Sequence, residues 1–260
     1  MTQTALHWVK EGHGPMVVLS HALGCDLGMW DGVAAILKAR YTVLRHDHRG
    51  HGRSQAPPGP YTMAMLADDA ARLIGAQAVE PVHFVGLSMG GMVAQALAAS
   101  HPRLLRSIVI ANATDCYDDA ARTLWKARVH TVLTQGVAAV AEGAMQRWFT
   151  PEFRADEAKG GAARVAALRH RLESTDAAAY AASCEAVAGI DFRASNTHIR
   201  CPVLVIAGTR DEATPLAMAQ AICSSIPGAQ LRTLEAAHLS AVEQPAVFAS
   251  LLEQFFENLR

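Results

Sequence analysis

Net charge is nearly absent from this chain. Its 23 lysines and arginines offset 24 aspartates and glutamates to a formal −1 over 260 residues. No basic stripe stands out, which argues against a nucleic-acid partner or general attraction to an anionic membrane. No apolar run approaches the ~20 residues that would span a bilayer. Met1 to Trp8 lacks the basic start and apolar stretch of a secretory signal. Cysteine is sparse and odd in number: Cys25, Cys116, Cys184, Cys201 and Cys223 contain no Cys-x-x-Cys pair. They read as reduced thiols filling core or pocket, and the expected address is cytoplasmic. Repeats, low-complexity tracts and linker-like stretches are also missing. Arg49-Gly50-His51-Gly52-Arg53-Ser54 has neither the following Lys-Ser/Thr of a phosphate cradle nor G-x-G-x-x-G spacing. His46, His48 and His51 share that loop and read as structural rather than as metal ligands. The expectation is therefore no metal and no cofactor.

What the chain does have is apolar substance, 51% hydrophobic residues against 18% charged, in a length that suits one α/β domain. Short apolar runs at residues 16–20, 41–44 and 82–85 suit strands buried on both faces. Residues 63–76 between them carry helical spacing, with Met65, Leu66, Ala70 and Leu73 on one face. After a further strand at 107–112 the chain turns alanine- and charge-rich and helical in period. Alternation resumes with a strand at 203–207, a helix at 215–224, a strand at 230–234 and a last helix at 245–259. Strand–helix alternation predicts a mostly parallel sheet flanked by helices. The helical insertion, residues 117–195, is expected to cap the sheet's C-terminal edge, leaving residues 1–116 and 196–260 as the core.

Gly86-Leu87-Ser88-Met89-Gly90 falls where the strand at 82–85 gives way to a helix. A serine on so sharp a turn needs small neighbours, because a side chain there would strike the adjoining backbone. The turn lifts the hydroxyl clear of the sheet, with a helix N-terminus behind it. Ser88 is thus the candidate nucleophile. A serine hydroxyl at neutral pH needs a base, and the base an orienting acid. Asp211 follows the strand at 203–207 and is the candidate acid, with Glu212 as runner-up. The chain has 12 histidines; His238 alone follows Asp211 and is the candidate base. An oxyanion would be held by the backbone N–H of Met89 and a second N–H from the loop after residue 20, Leu23 before Ala22.

These residues resemble the α/β-hydrolase superfamily, and within it 3-oxoadipate enol-lactonases. The carrying segments are Leu23-Gly24-Cys25-Asp26-Leu27-Gly28-Met29-Trp30, Gly59-Pro60-Tyr61-Thr62, the serine turn, Arg147-Trp148-Phe149-Thr150-Pro151-Glu152-Phe153 and Ala237-His238-Leu239-Ser240. The resemblance implies an α/β-hydrolase fold and hydrolysis of a small carboxylated enol lactone through an acyl-enzyme on Ser88. Arg147 beside Trp148 would take the substrate carboxylate, and His21 at the mouth of the oxyanion loop would join the substrate-binding set. Two features depart from the family. His21-Ala22 stands where the lactonases carry a polar Asn-Ser-like pair, and the short N-terminal lead-in implies a trimmed first hairpin. A broad-specificity carboxylesterase or lactonase, a cofactor-free perhydrolase or a carbon–carbon bond hydrolase would share the same triad. A non-catalytic receptor on this scaffold is the reading from another class, whereas haloalkane dehalogenases and most epoxide hydrolases need aspartate at position 88.

Overall fold

The central strands have no polar face to offer water. In β4 (Val82–Leu87) and β6 (Val203–Gly208) every residue is buried, as near-continuous apolar runs require when helices cover both sides of a sheet. The computed structural model describes residues 4–259. Its other strands are β1 (Trp8–Gly12), β2 (Met16–Ser20), β3 (Thr42–His46), β5 (Leu105–Ala111) and β7 (Gln230–Leu234). They form one sheet in the order β1-β3-β2-β4-β5-β6-β7. All neighbours pair in parallel except β1, which runs antiparallel along β3.

The sequence pattern did not show β1. Its residues alternate between half-buried and exposed along Trp-Val-Lys-Glu-Gly, an edge strand too short and too polar to stand out from a loop. Nor do β1 and β2 form a hairpin with each other, since β3 lies between them.

One face is covered by α1 (Asp31–Leu37), which packs on the last helix. The other carries α2 (Met63–Gln77) against α3 (Met89–Ser100). Between β5 and β6 the chain forms α4 (Asp119–Gln135), α5 (Ala138–Trp148), α6 (Pro151–Ala155), α7 (Gly161–Glu173) and α8 (Ala177–Ala188). Their main contacts are with one another. Asp118, Thr150 and Asp176 cap α4, α6 and α8 by accepting backbone N–H groups of the first turn. At the neck of the insertion Cys116 bridges Asp191, and the Phe192 N–H donates to the Asp115 carbonyl at 2.7 Å. The insertion thus leaves and rejoins the sheet at nearly one point. The next helix, α9 (Arg193–Asn196), packs on α3 and on α10 (Leu216–Ser225). Finally α11 (Ser240–Glu243) and α12 (Pro245–Glu257) follow β7, and Trp30 and Tyr41 lie against Phe248 and Phe256 of α12. Among the described residues no helix is long and apolar enough to cross a membrane.

Candidate active site

Ser88 sits between β4 and α3 with φ 56° and ψ −115°, a backbone state that costs energy for any residue with a Cβ. Its N–H donates to the Ala111 carbonyl at 2.8 Å, and its own carbonyl accepts from Met92 at 3.0 Å. The flanking glycines are dictated by contact. A Cβ on Gly86 would lie 1.9 Å from the Gly90 carbonyl oxygen, and one on Gly90 would lie 2.1 Å from that of Ser20. The turn therefore closes only with glycine at both positions, and it presents a half-buried hydroxyl above the sheet.

That hydroxyl lies 2.9 Å from His238 Nε2, and His238 Nδ1 lies 2.9 Å from Asp211 Oδ2. With Nδ1 donating to the carboxylate, Nε2 is left to accept the serine proton. Asp211 is held from every side. Its Oδ1 accepts backbone N–H groups of Ala213 and Thr214, at 2.8 and 2.9 Å. Its Oδ2 accepts the Thr214 hydroxyl at 2.6 Å and the Asn112 amide at 2.9 Å. Burial pushes this carboxyl up, but the facing imidazole and these donors outweigh burial and hold it at about 2. Glu212, the runner-up acid, is exposed and makes no bond to His238, whose Nδ1 faces Asp211. Three loops after three strands thus bring residues 88, 211 and 238 into one hydrogen-bonded chain.

The loop after β2 is pinned from below by neutral imidazoles. His21 Nδ1 donates to the Ala22 carbonyl at 2.8 Å, and its Nε2 accepts the His48 N–H at 2.9 Å. His51 Nε2 accepts the Gly24 N–H at 3.1 Å, while its Nδ1 donates to the Arg49 carbonyl. Burial lowers both histidines, His51 to about 4, so each stays uncharged at neutral pH. This corrects one expectation. His21 is fully buried with both ring nitrogens engaged, so it lies under the loop and not at a mouth open to substrate. The segment around Arg49 is tied down by ion pairing and backbone hydrogen bonds. Arg49 grips buried Asp69 with two bonds of 2.5 and 2.8 Å, and Asp47 accepts the N–H groups of Leu27 and Arg53. Among the described residues no group of histidines, cysteines and carboxylates is arranged to hold a metal ion. The N–H groups of Leu23 and Met89 donate to no protein acceptor among the described residues, which leaves both available to an incoming oxygen.

Above Ser88 and His238 lies a cavity of about 430 Å³, roofed by α4, the end of α5 and the start of α10. Its walls are largely apolar and aromatic, including Leu23, Tyr117, Leu124, Trp125, Trp148 and Met218. Trp148, expected here, is buried, and its carbonyl accepts the Leu239 N–H at 3.0 Å, tying the insertion to the His238 loop. Arg147 sits at the rim with Arg128. The Arg128 guanidinium stacks 5.2 Å from the Trp125 ring and reaches the buried Tyr180 hydroxyl at 3.4 Å. Neither arginine forms an ion pair with a carboxylate among the described residues, although Glu212 lines the same cavity. Partial desolvation and the positive charge of Arg128 push Arg147 below the usual arginine range.

Residues 15–245 match the family model described as the alpha/beta hydrolase fold. The chain belongs to the α/β-hydrolase family. It is 38% identical over 251 residues to 3-oxoadipate enol-lactonase 2 of Acinetobacter baylyi, covering 96% of this chain and 92% of that protein. The enol-lactonase structure from Burkholderia xenovorans LB400 superposes with a TM-score of 0.92 at 34% identity, over 98% of this chain and 97% of the other. A thermophilic esterase from Thermogutta terrifontis, solved with malate bound, matches with a TM-score of 0.91 at 26% identity, over 98% and 94% of the two chains.

Within this α/β-hydrolase frame, sequence reasoning missed Arg128 and Asn112. Arg128 lies in α4, whose charged and apolar residues are scattered round the helix with only Val132 buried, so no face pointed to the cavity. Asn112 read as the tail of a strand. Its role depends on a positive φ of 47° and on residues about 100 positions away, neither of which chain order displays.

Proposed function

We propose that this α/β hydrolase opens a small carboxylated enol lactone, through an acyl-enzyme on Ser88. The observation that carries this reading is the Ser88–His238–Asp211 chain at the floor of an apolar cavity whose rim holds two arginines without carboxylate partners. Such unpaired cations in a partly desolvated site suit an anionic ligand. The similarity to enol-lactonases across nearly the whole chain supports the same class.

Ser88 Oγ attacks the ring carbonyl while His238 Nε2 takes its proton, and Asp211 stabilises the imidazolium that forms. The N–H groups of Met89 and Leu23 receive the oxyanion; one such donor is typically worth about 2.7–4 kcal/mol. Collapse breaks the ring C–O bond and expels an enol oxygen, which takes the proton from His238 and tautomerises to a ketone. The opened chain remains as an ester on Ser88. Water, deprotonated by His238, then attacks that ester; the product leaves as a carboxylate and Ser88 recovers its proton. Throughout, the substrate's own carboxylate is held by Arg147 with Arg128, against the faces of Trp125 and Trp148.

Steady-state hydrolysis of 3-oxoadipate enol-lactone beside p-nitrophenyl acetate, by the parent and by Ser88→Ala, tests the proposal. The expected result is a much higher kcat/KM for the enol lactone, lost in Ser88→Ala. Brisk ester cleavage with negligible lactone turnover would keep Ser88 as nucleophile and replace the lactonase reading with a generalist carboxylesterase.

A further inference from the structure

Among the described residues only two non-glycine positions adopt a positive φ, Ser88 at 56° and Asn112 at 47°. They stand at the C-terminal ends of the adjacent strands β4 and β5. Asparagine tolerates the left-handed region better than most residues, yet still at some cost. At Asn112 that conformation aims a fully buried amide between the loops carrying Asp211 and His238.

The amide has one orientation that satisfies its neighbours. Its Nδ2 lies 2.9 Å from Asp211 Oδ2, which as a carboxylate oxygen only accepts. Its Oδ1 accepts the Ser240 hydroxyl at 2.5 Å. Nδ2 also lies 3.4 Å from the Ala237 carbonyl. Ala237 and Ser240 bracket His238, so one side chain bonds both to the acid and to the segment holding the base. The backbone of Asn112 is fixed independently, its N–H donating to the Ile206 carbonyl at 2.8 Å.

The geometry points to Asn112 as a positioning residue for the Asp211–His238 pair, with Ser240 bracing its amide. This rests on the reading of Ser88, Asp211 and His238 as a working triad. Asp211 Oδ2 is the same oxygen that receives His238 Nδ1–H. The Asn112 donor fixes where that oxygen sits, and a misplaced carboxylate leaves the imidazole free to rotate away from Ser88. A bond to a buried charged group is worth enough that its loss lowers kcat by roughly tenfold to a hundredfold.

Three variants separate this role from simple packing. Asn112→Gly accepts the left-handed backbone and removes only the side chain. Asn112→Asp keeps shape, backbone tolerance and the bond from Ser240, but replaces the donor with a like charge facing Asp211. Ser240→Ala keeps the amide's bond to Asp211 and removes its tie to the segment after His238. Each is measured with p-nitrophenyl acetate, with rates divided by the sites a fluorophosphonate labels, alongside Tm and the downfield proton resonance of the His238 Nδ1–H. The expected result is a fall in kcat per labelled site for Asn112→Gly and a fall at least as large for Asn112→Asp. Ser240→Ala should fall between these and the parent. KM should stay within about threefold, and the downfield resonance should shift or broaden in all three. Unchanged kcat per labelled site with an unmoved resonance in Asn112→Gly and Asn112→Asp would overturn the assignment, even if Tm falls. A parent inert to both ester and fluorophosphonate would instead overturn the triad reading itself.

Discussion

On the proposed reading, Arg128 and Arg147 select the anionic substrate. Several charged side chains around the insertion find opposite partners: Arg169 meets Glu142 and Glu173, and Arg171 meets Asp26. Arg128 and Arg147 instead face each other's charge across the catalytic cavity, with aromatic rings beside them. An anion entering there relieves that repulsion and gains charge-assisted hydrogen bonds, whereas a neutral ester does neither. Replacing Arg128 or Arg147 with Met keeps stem volume and removes the cation. Each change should lower kcat/KM for the carboxylated lactone roughly tenfold or more, chiefly through KM, while p-nitrophenyl acetate turnover stays within about twofold. Parallel kinetics on the two substrates check this. Equal losses on both would show that the arginines shape the cavity without reading charge.

At the scale of elements, the serine turn is the part of the site most legible in the sequence, because its constraint is local. Glycine, serine and glycine within five residues after an apolar run express a steric demand that the structure shows atom by atom at Gly86 and Gly90. The order serine, acid, histidine was legible from chain order, since Ser88 and Asp211 follow apolar strands and His238 is the one histidine after Asp211. Features resting on distant contacts were not. His21 is adjacent to the oxyanion loop in sequence and so looked exposed to substrate, yet the β3 loop folds beneath it and buries it. The strand β1 escaped notice because its edge residues Trp-Val-Lys-Glu-Gly are largely polar and exposed, and the seven-residue helix α1 because it carries too few periods to declare itself. Two helical glycines make the local constraint measurable. Gly90→Ala drives a Cβ against the Ser20 carbonyl between α3 and β2, and should cost about 3 kcal/mol, a Tm drop of roughly 6–12 °C. Gly75→Ala in α2 meets nothing within 4 Å and should stabilise the protein by ~0.5–1 kcal/mol. Thermal melts of the two variants should therefore move in opposite directions.

For the whole molecule, the buried histidines set the acid limit of stability. His21, His46, His48 and His51 are all buried beneath the oxyanion loop, and rings within this group stack edge to face. Burial lowers every one of them, His46 and His51 to about 4 against an ordinary value of 6.5. In the unfolded chain these rings take protons below about 6.5, while in the folded protein His46 and His51 stay neutral until about 4 and burial holds His21 and His48 well below their ordinary value. The unfolded state therefore binds more protons across that window, and stability must fall as pH falls through it, by up to ~1.4 kcal/mol per pH unit for each ring. Asp211 acts in the same direction but lower, its contribution being lost only as pH falls toward about 2. Urea unfolding from pH 7 to pH 4.5 should show that steep loss, and a flat profile would refute it. His46 offers the sharper check, because neither of its ring nitrogens has a hydrogen-bond partner among the described residues. His46→Leu removes two unsatisfied buried polar atoms at similar volume, so stability at pH 7 should hold or rise. The same change takes one titrating ring out of the window, so the pH slope should become shallower by as much as one proton. The oxyanion loop should feel this less, since its pins are His21 and His51, and ester turnover at pH 7 should remain near that of the parent.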